Sequence, residues 1–394
     1  MDTRLFGLTS EYSVVFSADG QPLSAEEAGH RLFGPLVSAG HAAGVLLSNG
    51  GRLRLDVADR PGYTTPDCGS AADLVVHDKA GERILEGLLT DASQHLGEER
   101  DIWIVKTGAD PAGCPFSCQE DYLVARRGEF GRLAGVLIPF LVTRQLICGT
   151  GAVARTPRGA VYCLSRPGGP GTGPASRSRP LISTRDEPHA QPAGFRRLHV
   201  SISDPAMSET TTLLKAGSSD LVLRMAEAGT VMPDLTLLNP VQAMGEVSLD
   251  ITGRGQLRLA DGRRMSALDI QREYLTRATD FTGSHGADAF CRRVLALWER
   301  TLDAIEAGDP GAIARQIDWA IKYQLIERYR AAHDLPLSAP QVARTDLAYH
   351  DILRGTGLYC RLQRGGAVER TTRDIDIFEA KTIPPARVRY RRAG

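Results

Sequence analysis

Three segments in the first two thirds of the chain alternate between apolar and polar side chains, which is the period of a β-strand. These segments are residues 5–16, 52–57 and 197–203. In each of them one face is mainly apolar and the other carries ionisable groups, namely Glu11, Arg54, Asp56, Arg197 and His199. A solvated surface would give the same pattern on any one strand. If the strands are neighbours in one curved sheet, however, their polar face forms the floor of a cleft.

The hydrophobic pattern changes after the strand-rich part. Residues 165–178 are rich in glycine, proline and serine and show no apolar periodicity, which is typical of a flexible loop that is either a lid or a connector. Residues 265–334 read as helical, whereas the first two thirds read as strands separated by loops. A basic tail follows at 386–394. We therefore expect one large domain over 1–385, with the tail outside it.

Start and stop signals define the helices of the helical part. Ser266 can cap a helix running to about Ala278, and an apolar stripe beginning at Val294 ends at Gly308. Asp309, followed by proline, starts a further helix. We interpret the apolar stripes of these helices as core.

The composition is that of a globular protein without a general affinity for polyanions. Of 394 residues, 42% are hydrophobic and 24% charged, and 47 basic side chains balance 47 acidic ones. This balance argues against a nucleic-acid or membrane-surface binder, and no apolar run reaches the roughly 18 residues of a membrane span. Seven irregularly spaced cysteines and the absence of a signal peptide favour reduced thiols and a cytoplasmic protein. Arginine supplies nearly all the positive charge. Two explanations are open, namely a GC-rich genome and the recognition of anions by guanidinium groups.

Longer motifs carry the functional signal. The chain reads SRPLISTRDEPHA at 178–190, RRLHV at 196–200 and MSETTTLLK at 207–215. Further matching segments lie at 49–57, 139–149, 267–274 and 346–352. Together these motifs closely resemble the family of Pup ligase and Pup deamidase/depupylase, which attaches or removes the prokaryotic ubiquitin-like protein Pup. The resemblance spans essentially the whole chain, and without the depupylase's long insertion before Asn49 the chain is closer to the ligase branch.

The resemblance implies an α+β fold like that of glutamine synthetase and other carboxylate-amine ligases, a curved and mostly antiparallel sheet backed by helices. Its concave polar face would bind ATP and Mg²⁺. In the ligase, ATP phosphorylates a glutamate side chain of Pup, and a lysine amine displaces phosphate from the acyl phosphate. The chain would also lack the family's small C-terminal domain, which begins after the run containing Arg387 and Arg389.

The resemblance also implies roles for individual residues. Asp56 matches the catalytic aspartate, which acts as base because a protonated amine has no lone pair with which to attack. Asp56 could instead be a structural ion-pair partner of Arg54. The expected magnesium ligands are Glu11, His199 and Asp67, and the expected nucleotide-binding arginines are Arg185, Arg197, Arg387 and Arg389.

The chain departs from the family's pattern at several cleft positions. Thr9 and Gly62 stand where the family has glutamates, and Asp67 stands for a third glutamate. Thr107 and Gly108 replace paired asparagines, and Gln119 and Asp121 replace histidine and asparagine in another segment. Because Mg²⁺ wants hard oxygen ligands, losing carboxylates weakens such a site. Asp59, Asp67, Asp110 or Asp121 could compensate.

These changes gather in the predicted cleft while the scaffold motifs are preserved, which favours repurposing. The leading hypothesis is an ATP-dependent amide-forming ligase that uses Mg²⁺ and is redirected to a small-molecule or peptide substrate, for instance in specialised metabolism. Its partners would be one carboxylate and one amine substrate, with Pup still possible, and neither nucleic acid nor membrane. The alternatives are a non-catalytic regulatory paralogue and a depupylase-like amide hydrolase.

Overall fold

Strands from all three alternating segments are joined in one sheet. A computed structural model describes residues 4–18, 21–22, 29, 44–55, 60–96, 101–106, 118–126, 130–166, 180–186 and 194–385. The sheet has seven strands in the order β11-β12-β8-β1-β6-β5-β4, and all of its pairings are antiparallel. Its strands are β1 (Phe6–Glu11), β4 (Val45–Leu46), β5 (Arg52–Leu55), β6 (Pro61–Thr64), β8 (Cys118–Ala125), β11 (Ile182–Arg185) and β12 (Phe195–Ser203).

Three small sheets accompany the large one. They are formed by β2 (Ser13–Ala18), β3 (Gln21–Pro22) and β7 (Asp101–Val105), by β9 (Ala152–Thr156) and β10 (Gly159–Cys163), and by β13 (Gln256–Arg258) and β14 (Arg264–Ser266). The segment 5–16 is therefore two strands, not one. The chain leaves the large sheet after Glu11, and β2 pairs with β7 instead of with β6.

Helices pack against the apolar face of the large sheet and against one another. They are α1 (Ala71–Leu96), α2 (Phe130–Thr143), α3 (Gln145–Cys148), α4 (Glu209–Glu227), α5 (Pro240–Ser248), α6 (Ala267–His285), α7 (Ala289–Glu306), α8 (Asp318–His333), α9 (Pro340–Tyr349), α10 (Leu358–Arg364) and α11 (Asp374–Ala380). Leu8 of β1, Tyr122 of β8 and Leu198 of β12 pack into one core with apolar residues of these helices. No helix in the described part of the chain is long and apolar enough to cross a membrane.

The helices of 265–334 follow the predicted signals with two corrections. Ser266 forms a capping box with Asp269, although α6 continues to His285, and the stripe of α7 is buried. Asp309 starts only a short 3₁₀ turn, and α8 begins at Asp318. The Asp318 amide donates to Thr211 Oγ1 at 3.0 Å, and its carboxylate accepts from the Ser208 amide at 3.1 and 3.0 Å. The start of α8 is thus fixed against the start of α4.

The prediction that the first two thirds consist of strands and loops is wrong, because the helices α1 to α5 lie there. The pattern of α1 was hidden by charged residues on its buried side. Lys106, which follows β7, donates to Asp78 at 2.6 Å and to Glu82 at 3.0 Å, and Lys79 donates to Glu82 at 2.8 Å. Burial alone would raise the pKa of Glu82, but the two lysines and Arg83 lower it to about 2.

A second buried ion pair fixes β8 on the helices. Arg144, between α2 and α3, makes two hydrogen bonds to Glu120 of β8, at 2.7 and 2.9 Å, and one to Ser219 of α4 at 2.6 Å. The Tyr122 hydroxyl donates to the same carboxylate at 2.5 Å. Burial would raise the pKa of Glu120, but Arg144 holds it at about 2. The pair is therefore ionised and bidentate inside the core.

Breaking this pair should be costly because it leaves one charge buried alone. We expect Arg144→Met to lower the free energy of unfolding by about 3–5 kcal/mol. The double variant Glu120→Gln/Arg144→Met should be more stable than Arg144→Met itself, since it removes the stranded charge. Urea-induced unfolding of the single and double variants measures both effects.

The matched control is Arg272→Met, which removes an arginine that pairs with Asp303 and Glu306 at the surface, at 2.6 and 2.7 Å. Its expected cost is less than about 1 kcal/mol. A double variant that is destabilised by the sum of its single substitutions would contradict the explanation.

Candidate active site

One face of the large sheet carries the polar residues that the alternation predicted. Residues opposite each other in an antiparallel pair point to the same side. The cross-strand rows on this polar face are Arg52, Thr64, Thr9 and Gln119; Arg54, Gly62 and Glu11; Gly7, Asp121, His199 and Ser183; and Leu123, Arg197 and Arg185. The prediction that Glu11 and His199 share one face is confirmed. We call this surface the polar face.

The row of Arg54, Gly62 and Glu11 joins β5, β6 and β1. Arg54 NH2 lies 3.5 Å from Glu11 Oε1, and the Glu11 side chain is buried. A Cβ at Gly62 would lie 3.5 Å from both Cγ and Nε of Arg54. The arginine therefore passes over the glycine and brings its charge to Glu11.

A second cluster joins β8, β12 and the segment after β6. His199 Nδ1 lies against Asp121 Oδ1. Arg197 NH2 lies 3.0 Å from Asp67 Oδ1, and its NH1 lies 4.0 Å from Asp121 Oδ2. Asp121 thus faces both the imidazole and a guanidinium.

The remaining predicted residues are placed as follows. Arg185 is the exposed last residue of β11, opposite Arg197. Thr9, where a glutamate was expected, makes a 3.0 Å contact between its Oγ1 and that of Thr64. Three predicted site residues lie outside the described residues, namely Asp56, Arg387 and Arg389. Most of the predicted loop 165–178 and the tail 386–394 lie outside them too.

The expected magnesium ligands do not form one cluster. Glu11 pairs with Arg54, Asp67 with Arg197, and His199 with Asp121. Within the described residues, no group of three or more His, Cys, Asp and Glu side chains is arranged to hold a metal ion. The assignment of these three ligands stays a prediction.

One atom of the polar face nevertheless fits a metal ligand. His199 Nε2 is buried and has no hydrogen-bond partner among the described residues. Its other ring nitrogen faces a carboxylate, which is the usual surrounding of a metal-bound histidine. The buried Nε2 fits one ligand to a divalent cation, but the described residues do not complete a metal site around it.

Two partners on this face were not assigned by the sequence. The Arg54 contact with Glu11 and the Asp121 contact with His199 both depend on strand register, which alternation within one strand cannot give. Asp121 was only one of four candidates for compensating a lost carboxylate. The strand order, in which β8 lies between β1 and β12, would have singled out Asp121 among these four candidates.

Comparison with known proteins identifies the relatives of this chain. The model of the Pup-ligase protein family matches residues 4–393. A Pup–protein ligase of Nocardioides sp. (strain ATCC BAA-499 / JS614) is 54% identical over 403 residues, covering 100% of this chain and 89% of the relative.

Solved structures agree with this match. The ligase PafA in its complex with Pup superposes with a TM-score of 0.92 at 36% identity, over 97% of this chain and 79% of that one. PafA in complex with ADP gives a TM-score of 0.83 at 37% identity, over 92% and 81% of the two chains. Fold and relatives together define an ATP-dependent carboxylate-amine ligase of glutamine-synthetase-like fold, with Mg²⁺ as its metal cofactor. The chain belongs to the Pup-ligase family.

Adding glutamates at positions 9 and 62 tests whether the carboxylates missing from the polar face weaken metal-dependent nucleotide binding. We expect Thr9→Glu combined with Gly62→Glu to tighten nucleotide binding in the presence of Mg²⁺ by about tenfold, because oxygen ligands would be added beside Glu11. Isothermal titration with ADP at fixed Mg²⁺ measures the change.

The control is Gly245→Glu in α5, where an added Cβ meets no atom within 4 Å and the new charge lies outside the sheet. It should leave nucleotide affinity unchanged. Equal affinities for the double variant and the unchanged chain would show that neither position contributes a ligand here.

Proposed function

We propose that this chain ligates Pup to lysine side chains of proteins in the cytoplasm. The carrying observation is the 54% identity to a Pup–protein ligase along the whole chain, supported by the fit to PafA as it binds Pup. The departures in the cleft led us to expect a redirected, smaller substrate, but the comparisons give no support to redirection. Pup is therefore the proposed carboxylate partner, and a protein lysine is the proposed amine.

The reaction has two steps. A carboxylate oxygen of a Pup glutamate attacks the terminal phosphorus of ATP and ADP leaves, which gives an acyl phosphate. The lysine nitrogen then attacks the acyl carbon and phosphate leaves, which gives the amide. When Mg²⁺ is bound, it would neutralise part of the negative charge of the phosphates.

The residues of the polar face take separate roles in this proposal. Arg197 and Arg185 lie opposite each other on neighbouring strands and bind phosphate oxygens through their guanidinium groups. Glu11 and His199 hold the metal. Asp67 orients Arg197 through their 3.0 Å contact. Arg387 and Arg389 are proposed as further nucleotide contacts.

Asp56 is the proposed general base. It follows Arg54 by two positions in the sequence, so strand alternation predicts the same face as Arg54 and Glu11. A carboxylate at that position can take the proton of the lysine ammonium and free the lone pair that attacks.

A reconstituted reaction tests the substrate. Purified chain, Pup, a lysine-bearing protein, ATP and Mg²⁺ should give a Pup conjugate and ADP in equal amounts, with ADP release requiring both partners. ADP release with a small carboxylate and a small amine but not with Pup would contradict the proposal in favour of redirection. Absence of ATP binding would indicate a regulatory protein, and release of Pup from a conjugate without ATP would indicate a hydrolase.

Asp56→Asn tests the base, because it removes the charge and keeps the shape. We expect nucleotide binding and folding to stay intact while amide formation falls by roughly 10²–10⁴-fold. Single-turnover formation of the conjugate is the measurement.

Asp261→Asn is the matched control for this substitution, since Asp261 lies on an exposed turn and pairs with Arg263 at 2.7 Å. It should ligate at the unchanged rate. Full ligation by Asp56→Asn would refute the assignment and direct attention to Asp59 or Asp121, because Glu120 is held on the other side of β8 by Arg144.

A further inference from the structure

Arg54 has N–H donors on the polar face that its contact with Glu11 leaves free. Its NH2 lies 3.5 Å from Glu11 Oε1, and this is the only hydrogen bond or ion pair of the Arg54 side chain among the described residues. A guanidinium group has five N–H donors, so most of them remain without a partner in that part of the chain. The side chain is also 34% exposed. These donors are therefore open to a ligand that approaches the polar face.

Two other strands hold this guanidinium in place. Gly62 lies opposite Arg54 in the pairing of β5 with β6, and an added Cβ there would lie 3.5 Å from Cγ and from Nε of the arginine. The arginine side chain therefore lies across the glycine, and the buried carboxylate of Glu11 on β1 holds its far end. A side chain that is already placed loses less conformational entropy when it binds a ligand.

The neighbouring row of the polar face adds further donors. Arg52 lies one row from Arg54 on β5, about 7 Å away by strand geometry. It is exposed and has no ion-pair partner among the described residues. In the row of Arg52, the Oγ1 atoms of Thr9 and Thr64 are 3.0 Å apart. Only one of two hydroxyls donates in such a contact, so the other keeps its proton for a further acceptor.

The balance of charge in these two rows favours an anion. Arg52 and Arg54 bring two guanidinium groups, whereas Glu11 is the one carboxylate among the described residues of the two rows. Planar guanidinium groups form paired, charge-assisted hydrogen bonds with carboxylate and phosphate oxygens. This corner of the polar face is therefore suited to an oxyanion.

We propose that Arg54 binds an oxyanion of the reacting groups, which is either the terminal phosphate of ATP or the carboxylate of the donor substrate. Its charge belongs to the chain, so at this place it does not depend on a bound metal ion. The inference rests on the proposed function for the identity of the two anions. Its phosphate arm needs no Pup, so its failure and the failure of Pup ligation are distinguishable.

The phosphate arm compares two nucleotides by isothermal titration of the full chain at saturating Mg²⁺. The probes are the unreactive ATP analogue AMP-PNP and ADP, which lacks the terminal phosphate. A hydrogen bond to a charged group corresponds to roughly 10–100-fold in affinity. If the terminal phosphate is the ligand, Arg54→Met should weaken binding of AMP-PNP by about that factor and binding of ADP much less.

The carboxylate arm compares two forms of Pup with ADP present. If the donor carboxylate is the ligand, Arg54→Met should weaken binding of Pup by a similar factor. It should not weaken binding of Pup in which glutamine replaces the reactive glutamate. An effect on neither AMP-PNP nor Pup would overturn the inference, and so would equal losses for all the ligands that the chain binds. A chain that binds no Pup would contradict the proposed function and leave the phosphate arm decisive.

A second background separates direct binding from an effect through Glu11. Arg54→Met takes a positive charge away from the Glu11 carboxylate, which would then repel an incoming anion more strongly. In a Glu11→Gln background this repulsion is absent, so a direct contact predicts that Arg54→Met still costs about the same factor. Equal affinities of Glu11→Gln and Glu11→Gln/Arg54→Met would show that Arg54 only neutralises Glu11, and would overturn the proposal.

The matched control is Arg264→Met, because Arg264 is an exposed arginine of β14, outside the large sheet, and has no ion-pair partner among the described residues. It should leave the affinities for AMP-PNP, ADP and Pup unchanged. Arg54→Lys keeps the charge but lacks the planar fork, so it should lose less affinity than Arg54→Met. Unfolding in urea shows whether each variant is folded, and Arg54→Lys carries the test if Arg54→Met is too unstable. Unchanged affinities in Arg54→Lys and Arg54→Met alike would refute the inference.

Discussion

The bidentate pair of Glu120 and Arg144 fixes which way β8 faces. Because side chains alternate along a strand, a shift of one residue would exchange its two faces. Glu120 is held toward the helices by Arg144 at 2.7 and 2.9 Å, so its neighbour Asp121 must point to the polar face. β8 lies between β1 and β12, and its register places Asp121 between Gly7 of β1 and His199 of β12. A buried structural ion pair thus determines the geometry of the candidate site on the other side of the strand.

Much of the site could be predicted from the sequence because its strands follow a simple rule. Alternation within residues 5–16 and 197–203 assigned Glu11 and His199 to polar faces, and the family motifs supplied the sheet that joins them. Alternation says nothing about register between strands, so the partners Arg54 and Asp121 had to come from the structure. The same limit explains why residues 5–16 were taken as one strand, since nothing in the pattern marks a change of sheet after Glu11.

Helix α1 was missed for a different physical reason. Pattern analysis assumes that charged residues face water, whereas Asp78, Lys79 and Glu82 of this helix are buried. Asp78 and Glu82 pair with Lys106, and Lys79 pairs with Glu82. Such charges are acceptable inside a protein only when every one has a partner. A partner distant in sequence cannot be read from the helix alone. The later start of the helix that was predicted from Asp309 has a similar origin, because Asp318, where α8 begins, is fixed by Thr211 and Ser208 of a distant segment.

The departures in the cleft are consistent with one electrostatic arrangement. Glutamates at positions 9 and 62 would lie beside Glu11, and like charges that are close and buried need cations to hold them. With Thr9 and Gly62 in these places, the arginine that crosses Gly62 already faces Glu11 with its own charge. Asp67 and Asp121 face Arg197 in the same way, and Asp121 also faces His199. Each of these carboxylates is therefore paired before any ligand enters, so the polar face can be assembled without a full set of metal ions. The smaller number of carboxylates and the positions of the arginines have the same effect: both reduce the number of buried negative charges that lack a positive partner.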